Sequence, residues 1–276
     1  MSEAVTGDST RALPDTLPRT VRLEFGRAFH PPYEAPVVVA VNGVLMCACW
    51  FLLPPHWKNA LFSLHGSLAF AMVLAGWMFS DVPATNLLGA DAARTADALD
   101  DPVVFRRLMY AKNVVLWVLV APLCSVIAVG IGVAAHDYVA MILSILAICV
   151  MPFGTLALSA WLGIWFPYHP IPISLRWRRR SPWRHMIVRW CTLILTPYGL
   201  VPVLSVAFLV PSLLLWSAFA QHGLDGKLSD AEFAWGILVA CGLSMLGTIA
   251  GHRMSWRFAR RRRTALAAYL ADPTRG

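Results

Sequence analysis

The chain has 276 residues, of which 58% are apolar and 14% charged, with a mean hydropathy of +0.62 and a formal net charge of +8. An ordinary soluble domain carries about 25% charged residues, so this composition points to the bilayer. The positive balance does not mark a nucleic-acid surface, because the charges gather in short stretches between apolar runs, as a membrane topology demands.

Residues 1–34 form a polar, Pro-rich arm with no short apolar core, so no cleavable leader is expected and insertion depends on the spans themselves. Residues 1–18 read as a disordered tail. Beyond them Val21, Leu23, Phe25 and Phe29 stand among Arg22, Glu24 and Arg27 up to Pro31–Pro32, the pattern of a short amphipathic helix on the membrane surface.

A hydrocarbon core about 30 Å thick needs roughly 20 apolar helical residues. Ala35–Leu53 is the first such run, ended by Pro54–Pro55, and Asn59–Ser80 returns after a very short turn to make a hairpin. Asn113–Ala135 is the third span, the tight His136–Asp137–Tyr138 turn follows, and Val139–Phe166 is the fourth. From Met186 to Ala220 the apolar stretch would reach about 52 Å as one helix, too long for a single crossing, and Pro197, Pro202 and Pro211 interrupt it. Two full spans there would place Arg257 and Arg260–Arg263 outside. One span plus a re-entrant piece keeps them inside, so Ala234–Gly251 is read as the sixth span.

With that choice all but two of the 23 Lys and Arg residues, the exceptions being Lys58 and Lys227, lie on one side. The expectation is therefore an all-α membrane protein of six spans over residues 35–251. Both termini are cytoplasmic, and residues 252–276 form a basic, helical tail at the inner membrane of a bacterial cell. The basic residues Arg176, Arg178, Arg179, Arg180 and Arg184 of the loop 167–185, and Arg260, Arg261, Arg262 and Arg263 of the tail, are expected to anchor the topology and meet anionic lipid.

Several chemistries are missing. No Asp or Glu lies in any span, which argues against an ion- or proton-coupled carrier. His65 is the one ionisable residue deep in a span, and its simplest role is pairing with a neighbouring helix. None of the three lysines is followed by Ser or Thr in a phosphate loop, so the chain is not expected to hydrolyse ATP. Gly130-Ile131-Gly132 falls inside a span with no preceding strand. Cys47, Cys49, Cys124, Cys149, Cys191 and Cys241 all lie in apolar runs and read as small hydrophobes. Asp97, Asp100 and Asp101 are acidic enough to suggest a metal-diphosphate site, but the loop 167–185 supplies no second acidic cluster. No metal, cofactor or catalytic residue is expected.

The loop 81–112 is too long for a mere connection. Asp91 stands where it would cap a short helix, Ala92–Leu99. Asp101–Pro102 then gives an N-cap with Pro at the first helical position, starting a stem that runs through Arg106, Arg107 and Lys112 into the third span. A push on the short helix would be delivered to the transmembrane bundle.

Asn86, Leu88, Gly89 and Asp91, then Pro102, the Arg106–Arg107 pair and Ala111-Lys112-Asn113, follow the order of the corresponding loop in another group of proteins. In this stretch, in its six-span layout and at Phe166-Pro167-Tyr168, the chain resembles the permease subunits of ABC-2-type exporters. Its acidic 95–101 segment replaces the Leu-rich run frequent in that family. The resemblance implies a transmembrane half that works with a second permease half, identical or different, and with separate ATPase subunits that hydrolyse ATP. The loop would dock on the ATPase as a coupling helix through Asn86, Gly89, Asp91, Arg94, Asp97, Pro102, Arg106, Arg107 and Lys112. With no charge in the spans, an apolar or amphipathic cargo is expected. A non-transporting membrane assembly protein stays open as the alternative, and a lipid-modifying enzyme is the weaker third reading.

Overall fold

The computed structural model describes residues 14–30, 33–52, 54, 68–79, 86–88, 91–165, 167, 191 and 230–272. Among the described residues every regular element is a helix: α1 Leu17–Ala28, α2 Glu34–Leu52, α3 Leu68–Met78, α4 Ala92–Ala98, α5 Pro102–Ala135, α6 Tyr138–Trp165, α7 Asp230–Arg261 and α8 Arg263–Leu270. Four of them are long and apolar enough to cross a bilayer: Ala35–Leu52 in α2, all of α5, all of α6, and Ala234–Arg261 in α7. The first part of the expected second span with His65, the basic loop with Arg176, Arg178, Arg179 and Arg180, the fifth span apart from Cys191 together with its re-entrant piece, and Gly89 lie outside the described residues.

The start of α5 is set by local chemistry. The Asp101 carboxylate accepts from the backbone N–H of Val103 at 2.7 Å and of Val104 at 3.4 Å, with Pro102 in the first turn, where its missing N–H costs nothing. At 34 residues α5 is about 51 Å long, well beyond the roughly 30 Å thickness of a hydrocarbon core. It ends where His136 takes a left-handed conformation (φ 54°) and the Asp137 N–H donates to the Gly132 carbonyl at 3.0 Å. The Asp137 carboxylate then accepts from the Ala140 N–H at 3.1 Å and opens α6. Gly132 belongs to this hairpin. A β-carbon there would lie 2.5 Å from the β-carbon of Met141, so only glycine lets the two helices meet so closely.

The most intimate contact is between α6 and α7. Leu146 faces Cys241, Gly154 faces Ser244, Ala157 faces Gly251, Trp161 faces Phe258, and Ile164 meets Arg262. The pairs advance together, so the two helices run parallel and in register. Small residues make the approach possible, as membrane helices require in the absence of a hydrophobic drive between them. A β-carbon on Gly154 would lie 2.6 Å from the Ser244 Oγ, and one on Gly251 would lie 2.8 Å from the Ala157 carbonyl carbon. Pro152 interrupts the hydrogen-bond ladder of α6. Close to that break the Ser244 hydroxyl donates toward the Met151 carbonyl at 2.8 Å and accepts from the Gly154 N–H at 3.0 Å.

On the outside of the bundle, α2 exposes Val37, Val41, Val44, Leu45, Phe51 and Leu52, each at least half open. Its inward face packs through Val39 and Met46 into the core with Leu74, Met78, Val120 and Cys124. The helices over the expected third and fourth spans end within a residue of the expected positions, and the helix over the expected sixth span runs on past Gly251 to Arg261 before the chain turns at Arg262.

Candidate functional site

At the foot of α5 three short helices gather: α1 from the N-terminal arm, α4 from the 81–112 loop, and α8 from the tail. The turn Asn86–Leu88 is fixed first. Leu87 and Leu88 are buried, the Leu88 carbonyl accepts from the Thr95 hydroxyl at 3.1 Å, and the Leu87 carbonyl accepts from the Lys112 ammonium at 2.5 Å. Lys112 stands one residue before Asn113, where the expected third span begins, and the charges of Glu24 and Asp91 act on its ammonium.

Charge pairing then fixes α4. Arg94 is 3% exposed and donates to Glu24 of α1 at 2.8 Å and to Asp91 at 3.2 Å, and Arg27 of α1 donates to the same Asp91 carboxylate at 2.5 Å. Glu24 and Arg27 are three residues apart, as are Asp91 and Arg94, with the acid first in each pair. Two such segments laid antiparallel match acid to base at both positions. Asp91 holds the N-cap position of α4 but makes no side-chain cap bond, so its carboxylate serves these ion pairs rather than the expected capping role. The cluster of Glu24, Asp91, Arg27, Arg94 and Lys112 holds three basic and two acidic side chains. The Nε and Nη2 of Arg94 have no hydrogen-bond partner among the described residues. Further along the stem, the Arg107 guanidinium donates to the Pro14 carbonyl at 2.6 Å, tying the chain ahead of α1 to α5.

The tail closes the other side. Leu266 and Leu270 of α8 are buried in the core cluster that also takes in Leu99, and Arg263 is ion-paired with Asp100, both groups more than half exposed. Arg262 points the opposite way. Its guanidinium donates to the Ile164 and Trp165 carbonyls at 3.1 Å each and lies 4.7 Å from the Trp165 ring, closing the end of α6.

The sequence-expected residues therefore divide. Asp91, Arg94 and Lys112 are drawn into one internal cluster, with Asn86 beside them in the buried turn. Asp97 and Ala93 are exposed on the outer face of α4, with Asp101, Pro102 and Arg106 exposed where the stem begins. Arg106 donates back to the Pro102 carbonyl at 3.1 Å. Of the tail arginines, Arg260 and Arg261 are exposed, while Arg262 and Arg263 have the partners just described. Sequence reasoning placed Glu24 and Arg27 only on the polar side of a surface helix. The repeated acid–x–x–Arg spacing was the signal that they pair with the loop.

The orientation of α1 is informative. Its buried residues are Thr20 and Glu24, whereas Leu17, Phe25 and Phe29 are 36–48% exposed, with the two rings 5.1 Å apart. A helix with its polar face turned into the protein and its aromatic face outward suits a membrane surface. Among the described residues no group of three or more His, Cys, Asp or Glu is placed to hold a metal ion. No family model, curated protein or solved structure matches this chain.

Proposed function

We propose that this chain is the permease subunit of an ABC exporter, paired with a second permease half and driven by a separate ATPase. The observation that carries this reading is the mounting of α4. It is a short helix with an open outer face, held between both ends of the chain and set at the foot of a stem that continues unbroken into a membrane-spanning helix. A solvated connector needs no such mounting.

Each part has a physical role. Asp97 and Ala93 offer the partner surface, and Arg94, turned inward, anchors that surface to α1. Closure of two ATPase subunits on ATP would press on α4. The displacement passes through the Asp101–Pro102 start into α5, and through Glu24 and Arg27 into α1, which precedes α2 by five residues. Two spans then tilt together, and a path between two permease halves opens or shuts for an apolar or amphipathic cargo.

The parallel register of α6 and α7 supports the six-span layout with both termini cytoplasmic. Two parallel spans need an odd number of crossings between them, which favours one span plus a re-entrant piece over two full spans in 186–220.

The test is copurification from the native membrane. An ATPase with a phosphate loop should come down with the tagged chain, and the purified chain by itself should show no ATP hydrolysis. Asp97→Lys should weaken that association or uncouple hydrolysis from export, while Asp225→Lys, in the outer loop of the six-span layout, should leave both intact. If no ATPase copurifies, or both variants behave as the unaltered chain, the non-transporting assembly-protein reading takes its place.

A further inference from the structure

The exposed face of α7 changes character once along its length. Trp235, Leu238, Leu246 and Ile249 are 47–69% exposed on one face, and Arg253, Arg257, Arg260 and Arg261 continue that face toward the cytoplasm. The opposite side, with Ser244, Thr248, Ser255 and Ala259, is buried against the bundle. From Trp235 to Arg253 is 18 residues, or about 27 Å of helix, close to the roughly 30 Å of a hydrocarbon core. Trp235 thus stands at the outer interface and Arg253 at the inner one, where its stem lies along apolar surface and its guanidinium reaches the headgroups.

None of these four arginines has an ion-pair partner among the described residues, in contrast to Arg262 and Arg263 next to them. Four guanidinium groups with no ion pair among the described residues, over nine residues of one helix side directly below an apolar face, match one environment: the phosphate-bearing headgroups of the inner leaflet. Nucleic acid or an acidic protein would satisfy the charges but leave the contiguous apolar face without a partner.

We propose that the cytoplasmic end of α7 is an anionic-phospholipid site formed by Arg253, Arg257, Arg260 and Arg261. It rests on α7 as a membrane span and not on the exporter reading, so either can fail without the other. Lipid phosphates accept from the guanidinium forks, and the arginines hold the end of α7 at a fixed depth below the α6 contact. Arg262 and Arg263 take no part, because their side chains are committed to α6 and to Asp100.

The experiment measures the association of spin-labelled phosphatidylglycerol and phosphatidylcholine with the full chain in mixed bilayers. Replacing all four arginines by glutamine (R253Q, R257Q, R260Q, R261Q) should reduce the preference for phosphatidylglycerol at least about fivefold, on the scale of one charge near an anionic surface. The R262Q, R263Q control should keep it within about twofold. An unchanged preference in the fourfold variant, or an equal loss in the control, overturns the proposal. Should the fourfold variant fail to insert, R257Q and R261Q singly and a salt titration of the unaltered chain decide. The preference must fall in each single variant and collapse at about 1 M salt, where the Debye length is about 3 Å. A flat response refutes it, as does a chain without lipid preference whose four arginines are buried between two copies.

Discussion

The pairing of Glu24 with Arg94 gives a prediction with a computable size. Both side chains are at least nine-tenths buried and meet at 2.8 Å. Removing one partner of a buried pair costs about 3–5 kcal/mol, because the other charge is left uncompensated. Asp91, also in contact with Arg94 at 3.2 Å, retains part of that compensation, which puts Glu24→Ala at about 3 kcal/mol. At 1.4 kcal/mol per factor of ten, the population with α1 detached should rise about a hundredfold. Trypsin reports it directly, since Arg19, Arg22 and Arg27 lie in α1 and cleavage of a transiently opened segment follows its open population. In the purified chain, Glu24→Ala should therefore be cut in this helix far faster than the unaltered protein. Replacing both partners by methionine should recover much of the resistance, because no buried charge is then left alone. If Glu24→Ala is cut no faster, the pair does not hold α1. If the double variant is as labile as the single one, the loss comes from packing and the electrostatic reasoning fails.

In a background without native cysteines, Arg261→Cys should react with impermeant maleimide only from the cytoplasmic side and Asp137→Cys only from outside; labelling of position 261 from outside would break the six-span layout. Gly251→Ala should lower the melting temperature in detergent, since its β-carbon meets the Ala157 backbone at 2.8 Å and overpacking costs about 1–3 kcal/mol. Gly236→Ala, with nothing within 4 Å, should be neutral or slightly stabilising through helix propensity; equal melting of the two variants would show that α6 and α7 do not meet as described.

What the sequence determined by itself were the features with short-range causes. The Asp101–Pro102 start of α5 and the His136–Asp137 turn depend on residues within a few positions of one another, and both stand at their expected places. The tertiary structure decided what depends on distant partners. Asp91 looked like a cap by position, but a guanidinium beside a carboxylate outweighs a backbone N–H at a helix end, and the two arginines that pair with Asp91 lie on different helices. The exporter resemblance put Arg94 among the residues meeting an ATPase, but its side chain is buried, paired with an acid 70 residues away. The four consecutive arginines 260–263 looked like one basic patch. Arg260 and Arg261 end α7 facing outward, the chain turns at Arg262, and what α6 and α4 place beside Arg262 and Arg263 draws those two inward.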